Sequence, residues 1–232
     1  MKRLFAMVVA LMLVLGALPA WAAGAIETTE ETWYVVSHSS DYRVYYYAVV
    51  ANKGEKPVSV NDLLFEIQDE NDVTIESTAK YKLYPEVLEA GQSGWLVISK
   101  DVKDIDNKSE IDHYLLTITS KVNDDKAARP LKASAEYIDE DEDENEHVIR
   151  ATVTNEGDQN AFEITVAAAI RDENGKLLYI ANGASKDIGL PAGSSLLLRS
   201  MIKSEIWDEL DDHKVNIASA EALAYTIEDL DD

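Results

Sequence analysis

The sequence of 232 residues contains no cysteine. This absence excludes disulfide bonds, thiol catalysis and a lipid-modified cysteine, so the fold must depend on burial and hydrogen bonding alone. Basic residues are also scarce, because 21 Lys and Arg stand against 44 Asp and Glu, for a formal net charge of −23. Nucleic-acid binding requires clustered Lys and Arg, so we expect no nucleic-acid partner. The same charge favours solubility and the binding of cations or basic partners.

Catalytic motifs are missing as well. The sequence has no Gly-x-Ser-x-Gly elbow, no His-Glu-x-x-His pair, no Walker loop and no Gly-x-Gly-x-x-Gly fingerprint. The four histidines, His38, His113, His147 and His213, lie too far apart in sequence to form a local zinc pair. A non-enzymatic protein is therefore the leading hypothesis, and a hydrolase whose site is assembled from distant residues stays open behind it.

The N-terminus has the order of a secretory signal peptide. Lys2 and Arg3 form a basic start, residues 4–18 are almost entirely apolar, and a Pro-Ala-Trp-Ala sequence ends the segment at Ala22. We predict a signal peptide over residues 1–22 and a secreted or extracytoplasmic protein, and the lack of disulfides suits a bacterial one. The apolar run is shorter than the roughly 20 residues that span a bilayer, and no second run follows, so we expect no membrane span after cleavage.

One pattern of strand and turn residues occurs twice in the chain. The matched segments are 52–54 (Asn-Lys-Gly) with 155–157 (Asn-Glu-Gly), 69–72 (Asp-Glu-Asn-Asp) with 172–175 (Asp-Glu-Asn-Gly), and 90–91 with 192–193 (both Ala-Gly). They follow one another in the same order at a nearly constant separation. Such a series indicates an internal duplication.

The alternation of apolar residues assigns the faces of one matched strand. Residues 149–154 alternate between apolar and polar side chains, which is the period of a half-buried strand. In the matching strand of the first copy, Tyr46 and every second residue after it should therefore face a core. Tyr45 and Tyr47 should point away from that core.

Turn residues separate short strands at roughly ten-residue intervals in both copies, a cadence typical of an all-β sandwich. We predict an all-β protein of two tandem β-sandwich domains, each with one short helix or helical turn. These are expected near residues 103–111 and 203–210, with Ser204 as the cap of the second. The predicted boundaries are 26–123 for the first domain, 124–130 for a polar linker and 131–228 for the second domain.

In the second copy, four consecutive strand and turn segments together match the sequence pattern of a known type of domain. A strand ending in residues 153–157 (Val-Thr-Asn-Glu-Gly) is followed by an apolar strand over 164–170, an Asp-Glu-Asn-Gly-Lys turn at 172–176 and a Leu-Pro-Ala-Gly turn at 190–193. With these features, residues 147–200 resemble the FxLYD-type domains, immunoglobulin-like modules of exported bacterial proteins, and residues 44–100 show a degenerate version. The family's aromatic pair before the Asp is replaced here by Ala169-Ile170-Arg171. The resemblance implies tandem immunoglobulin-like domains with a binding or structural role and no catalytic residues.

Arg43, Tyr45 and Tyr47 share one outward face of a strand and are the first candidate binding residues. Tyr and Arg are enriched at binding hot spots because they combine a large contact area with a polar group. Contact with a protein or a carbohydrate is one interpretation. Coverage by the neighbouring domain, or by side chains of adjacent strands, is the alternative.

The acidic run at residues 139–146, predicted as a loop between two strands, is the second candidate. It places seven carboxylates in eight positions. Calcium accepts six to eight oxygen ligands, so Asp139, Asp141, Asp143 and Glu146 are candidate calcium ligands, although the run lacks the glycine turn of a specific site. A solvated loop is the alternative, and no other cofactor is predicted. The sequence thus predicts an exported binding or structural protein that contacts a protein or cell-envelope component, with a calcium-responsive binding protein as the alternative.

Overall fold

The computed structural model describes residues 26–140, 146–181 and 189–230. The predicted signal peptide lies outside the described residues. The described chain consists mostly of antiparallel β-strands, which confirms the all-β prediction. Within these ranges no helix is long and apolar enough to cross a membrane.

The first half, residues 26–123, contains eight strands and a 3₁₀ turn. The elements are β1 (Ile26–His38), β2 (Asp41–Asn52), β3 (Val58–Gln68), β4 (Thr74–Thr78), β5 (Lys82–Tyr84), β6 (Val87–Leu88), β7 (Ser93–Val102), the 3₁₀ turn (Lys108–Glu110) and β8 (His113–Val122).

The second half, from residue 126 onward, contains six strands and one helix among its described residues. The elements are β9 (Lys126–Glu140), β10 (Glu146–Thr154), β11 (Thr165–Asp172), β12 (Leu177–Ala181), β13 (Ser195–Met201), α1 (Ser204–Asp212) and β14 (Ile217–Asp229).

The strands of the first half form two sheets with a core between them. One sheet has the order β1-β2-β7-β5, and in the other β3 pairs with β4 and β6 and also with β8. Apolar residues from both sheets, among them Tyr46, Phe65 and Ile98, form one buried cluster. Ala48 and Val50 belong to the same cluster, as the alternation of the sequence predicts.

The second half repeats this strand order. Strands β9-β10-β13 correspond to β1-β2-β7, and β12-β11-β14 correspond to β4-β3-β8. The two halves differ at β9, whose residues 126–131 pair with β14 before residues 132–140 pair with β10. Strand β9 therefore joins both groups into one six-stranded sheet.

The matched Asn and Ala-Gly segments form the same local structure in both halves. Asn52 is fully buried, and its Nδ2 donates to the carbonyl oxygens of Lys56, Leu88 and Glu89 at 2.7, 3.0 and 3.1 Å. Its carbonyl oxygen accepts a hydrogen bond from Gly91, which has a positive φ of 74°.

Asn155 repeats this arrangement. Its Nδ2 donates to the carbonyl oxygens of Gln159 and Leu190 at 2.8 and 2.9 Å, and its own carbonyl oxygen accepts from Gly193 at φ 70°. In each half, hydrogen bonds thus join the matched Asn segment to the matched Ala-Gly turn in one local structure.

A 3₁₀ turn lies within residues 103–111 and helix α1 begins at Ser204, so both predicted segments contain a helical turn or helix. Two details differ from the prediction. Ser204 is the first helical residue and not the cap, because Lys203 is the N-cap and makes no side-chain cap hydrogen bond. Strand β9 begins at Lys126, so most of the predicted linker 124–130 is a strand paired with β14. Pro130 fits there because β9 changes partner beside it, where a missing donor is tolerated.

Candidate functional site

Tyr45 and Tyr47 lie in the contact between the two halves. Both face away from the first-half core, and each is only 1% exposed because the second half covers them. Their cluster also contains Trp95 from the first half and Ile170 and Ile206 from the second. These two rings are therefore part of an internal interface and do not form a solvent-facing surface.

Aromatic contacts fix the rings in this interface. Tyr45 and Tyr47 stack with their ring centroids 6.2 Å apart, and Tyr47 meets Tyr179 of β12 edge-on at 5.2 Å. Burial raises the pKa of Tyr47 well above its usual value, so the phenol stays neutral. Ile149, the counterpart of Tyr46, packs into this same cluster and not into the separate core of the second half.

Charged residues surround the Tyr45 hydroxyl at the edge of the interface. This hydroxyl donates to Glu205 Oε1 at 2.8 Å and accepts from Lys203 Nζ at 3.1 Å. Arg43 Nε donates to Asp101, and its Nη1 lies 3.4 Å from the Tyr45 hydroxyl. The hydrogen bond to Asp101 raises the pKa of Arg43 and lowers the pKa of that carboxyl.

The surroundings of Glu205 in the interface lower its pKa. Burial acts to raise this pKa, but hydrogen bonds from its own backbone N–H and the Tyr45 hydroxyl, with the charge of Lys203, leave it below the usual range. The carboxylate is thus held in its ionised form. Lys203 and Glu205 were not singled out from the sequence, because they lie about 160 residues from Tyr45.

A second polar contact joins the halves at β1. Arg171 Nη1 donates to both carboxylate oxygens of Glu30 at 2.9 and 2.7 Å, and Arg171 Nε donates to Glu221 at 2.7 Å. The hydroxyl of Tyr34 donates to the Leu178 carbonyl oxygen at 2.9 Å. Polar contacts therefore join the two halves at separate points around the apolar cluster.

A cleft of about 680 Å³ opens where the two halves meet, on the side of β5 and β8. This volume falls within the range of small-ligand sites, which occur preferentially between domains. Tyr84 and Tyr225 form buried parts of its wall, and Tyr81 is partly exposed beside them. Burial raises the pKa of Tyr84 to about 12, so its phenol stays neutral.

Three lysines give this cleft a positive charge. Lys82, Lys121 and Lys126 line it together with one acidic residue, Glu86. Lys126 lies 3.8 Å from Asp229, whereas Lys82 and Lys121 form no ion pair with a described residue. In a chain with twice as many acidic as basic residues, this is a local reversal of charge. Ammonium groups beside neutral phenols can bind carboxylate or phosphate oxygens.

The candidate calcium ligands fall mostly outside the described residues. Asp141 and Asp143 are outside them, and the side chain of Glu146 is not described. Asp139 lies on β9, where its carboxylate is 3.3 Å from His147 Nδ1. In the described ranges no group of three His, Asp or Glu residues is arranged to hold a metal ion.

The histidines are dispersed over the fold. His147 accepts or donates a 2.9 Å hydrogen bond with the Tyr137 hydroxyl and stacks on Trp207, and His213 lies 3.2 Å from Glu209. His113 is close to Asp112 and Asp72. None of the histidines hydrogen-bonds a described serine hydroxyl.

Comparisons with protein-family models, curated proteins and solved structures find no match to the chain.

Proposed function

We propose that this chain is an exported, non-enzymatic binding protein made of two tandem immunoglobulin-like β-sandwich domains. It would bind anionic groups of a protein or cell-envelope partner in the cleft between its halves. Three lysines in a cleft of suitable size, on a chain that is otherwise strongly acidic, are the observation on which the proposal depends. The repeated strand order supports the tandem architecture, and the FxLYD-type resemblance agrees with it.

The architecture fits a role in binding because the cleft has a rigid frame. Its walls come from β5 and β8 of the first half and from β11 and β14 of the second. The buried tyrosine cluster and the Arg171–Glu30 contact hold these elements in place. A preformed cleft loses little conformational entropy when a ligand binds.

Calorimetry with the mature protein tests this function, with oligoglutamate as a protein-like probe and oligogalacturonate as a polysaccharide-like probe. We expect one of them to bind, and the affinity to fall as salt is added because the attraction is electrostatic. Lys82→Ala combined with Lys121→Ala should weaken binding at least tenfold. Lys53→Ala, which changes an exposed lysine outside the cleft, should leave it unchanged.

Two results would count against the proposal. If neither probe binds at low salt, the cleft is not an anion site. If the cleft variants and the control variant lose the same affinity, the probe binds to lysines anywhere on the surface and not to the cleft. Turnover of esters, glycosides or peptides by the purified protein would contradict the non-enzymatic part.

A further inference from the structure

Tyr81 differs from the other tyrosines of the chain. All eleven tyrosines lie in the described ranges, and ten of them belong to the apolar clusters of the fold. Tyr81 belongs to none of these clusters. It immediately precedes β5, lines the cleft between the halves and is 37% exposed. Its side chain makes no hydrogen bond and no ring contact with a described residue. The packing of the fold therefore does not account for an aromatic ring at this position.

The ring lies among the charged groups of the cleft. Lys82 directly follows it, and Lys121 and Lys126 line the same cleft. Burial acts first, with the negative charges of Glu86 and Asp62, to raise the pKa of Tyr81, so the phenol stays neutral. Tyr81 can thus offer an apolar face to a ligand without adding a negative charge beside the lysines.

The polar groups of the lining are of mixed character. Glu86 is an acceptor in the same cleft as the three lysines, and Ser59, Asn123 and Thr165 add uncharged polar side chains. A peptide with a carboxylate on every residue would be repelled by Glu86, whereas a ligand hydroxyl can donate to it. The uncharged groups can likewise donate to or accept from hydroxyls. The lining therefore favours a ligand that carries both carboxylates and hydroxyls.

We propose that the anionic ligand of the cleft is an acidic polysaccharide whose sugar rings carry uronic-acid carboxylates. This inference rests on the anion-binding function proposed above for the same cleft. The lysines bind the carboxylates, Glu86 accepts from sugar hydroxyls, and the Tyr81 ring packs against the C–H face of one sugar ring. The face of an aromatic ring is partially negative, and sugar C–H groups are partially positive because each carbon bears an oxygen. Oligoglutamate offers the carboxylates without such a ring face.

Titration calorimetry of the mature protein at low salt, with oligogalacturonate and oligoglutamate as separate probes, tests the inference. Tyr81→Ala should weaken oligogalacturonate binding about tenfold, because the apolar contact with the sugar ring is lost. It should leave any oligoglutamate binding unchanged. Tyr81→Phe keeps the ring and should retain most of the affinity. Tyr81 is exposed, so both variants should fold, and far-UV circular dichroism checks this.

Phe162→Ala is the matched control, since Phe162 is a 63% exposed aromatic residue that does not line the cleft. It should bind both probes like the parent chain. Binding of oligoglutamate alone, lost in the Lys82→Ala, Lys121→Ala variant, would overturn the polysaccharide assignment and leave the cleft as a site for acidic peptides. Tyr81→Ala with no effect, or with equal effects on the two probes, would also overturn it. If neither probe binds, or the lysine variant binds as the parent does, the proposed function fails and this inference fails with it.

Discussion

Replacing Asn52 with Ala should be among the most destabilising substitutions in the first half. The side chain is fully buried and links three carbonyl oxygens with its Nδ2 while its Oδ1 accepts from the Gly54 backbone N–H at 2.9 Å. The Leu88 carbonyl oxygen is buried, so leaving it without this donor costs about 1–3 kcal/mol. The two partly buried acceptors add about 0.5–1.5 kcal/mol each. We therefore expect a loss of about 2–6 kcal/mol in the free energy of unfolding, a large share of the total for a domain.

The assay is urea denaturation followed by circular dichroism and tryptophan fluorescence, with the denaturant slope compared between variants. Asn52→Asp keeps the shape but replaces the donor by an acceptor, so it should be at least as harmful as Ala. Asn155→Ala removes one donor bond to a buried carbonyl oxygen and one to a partly buried carbonyl oxygen, and should cost about 1.5–4.5 kcal/mol. Asn61→Ala, at an exposed bulge of β3, is the control and should change stability by less than about 0.5 kcal/mol. A loss below about 1 kcal/mol for Asn52→Ala would refute the reasoning.

Two further predictions concern the contact between the halves. Tyr45→Phe removes a hydroxyl bonded to Glu205 and Lys203 and should cost about 1.5–3 kcal/mol in thermal or urea unfolding, whereas Tyr47→Phe should be nearly neutral because that hydroxyl bonds no described residue. Equal effects of the two substitutions would contradict this assignment. The lowered pKa of Glu205 gives a stabilisation that is complete above its ordinary value of 4.5 and is lost as the pH falls through the lower folded-state value. Glu205→Gln should therefore flatten the acid limb of a melting-temperature profile, and an unchanged limb would show that this carboxylate is not stabilised by the interface.

Periodicity and turn residues were sufficient to predict an all-β fold and strands such as β2, β10 and β11. The alternation in residues 149–154 identified the core-facing side of β2 correctly, since Tyr46 lies in the first-half core. The Asn and Ala-Gly matches identified turns, but not that the Asn side chain is buried and joins those turns to each other. Side-chain hydrogen bonds between distant segments leave no local period in a sequence. The start of β9 was missed because residues 126–130 (Lys-Ala-Ala-Arg-Pro) do not alternate between apolar and polar, and only their pairing with β14 identifies them as part of a strand.

The interface was signalled in the sequence by β2 itself. Residues 44–51 are apolar on both alternations, which is expected of a strand covered on both faces. What covers the second face could not be predicted, because Lys203, Glu205 and Tyr179 come together only after both halves have folded.

The two copies of the pattern diverge where their surroundings diverge. Tyr47 and Val49 of β2 correspond to Arg150 and Thr152 of β10. The β2 pair packs against the shared cluster, whereas Thr152 is exposed and Arg150 is partly exposed. An apolar side chain without cover loses the free energy that burial supplies, and a polar one under cover needs a partner. The outward-facing side chains of each strand are therefore apolar where another part of the chain covers them and polar where solvent does. Where two halves with the same strand order pack differently, their sequences should differ most at these outward-facing positions.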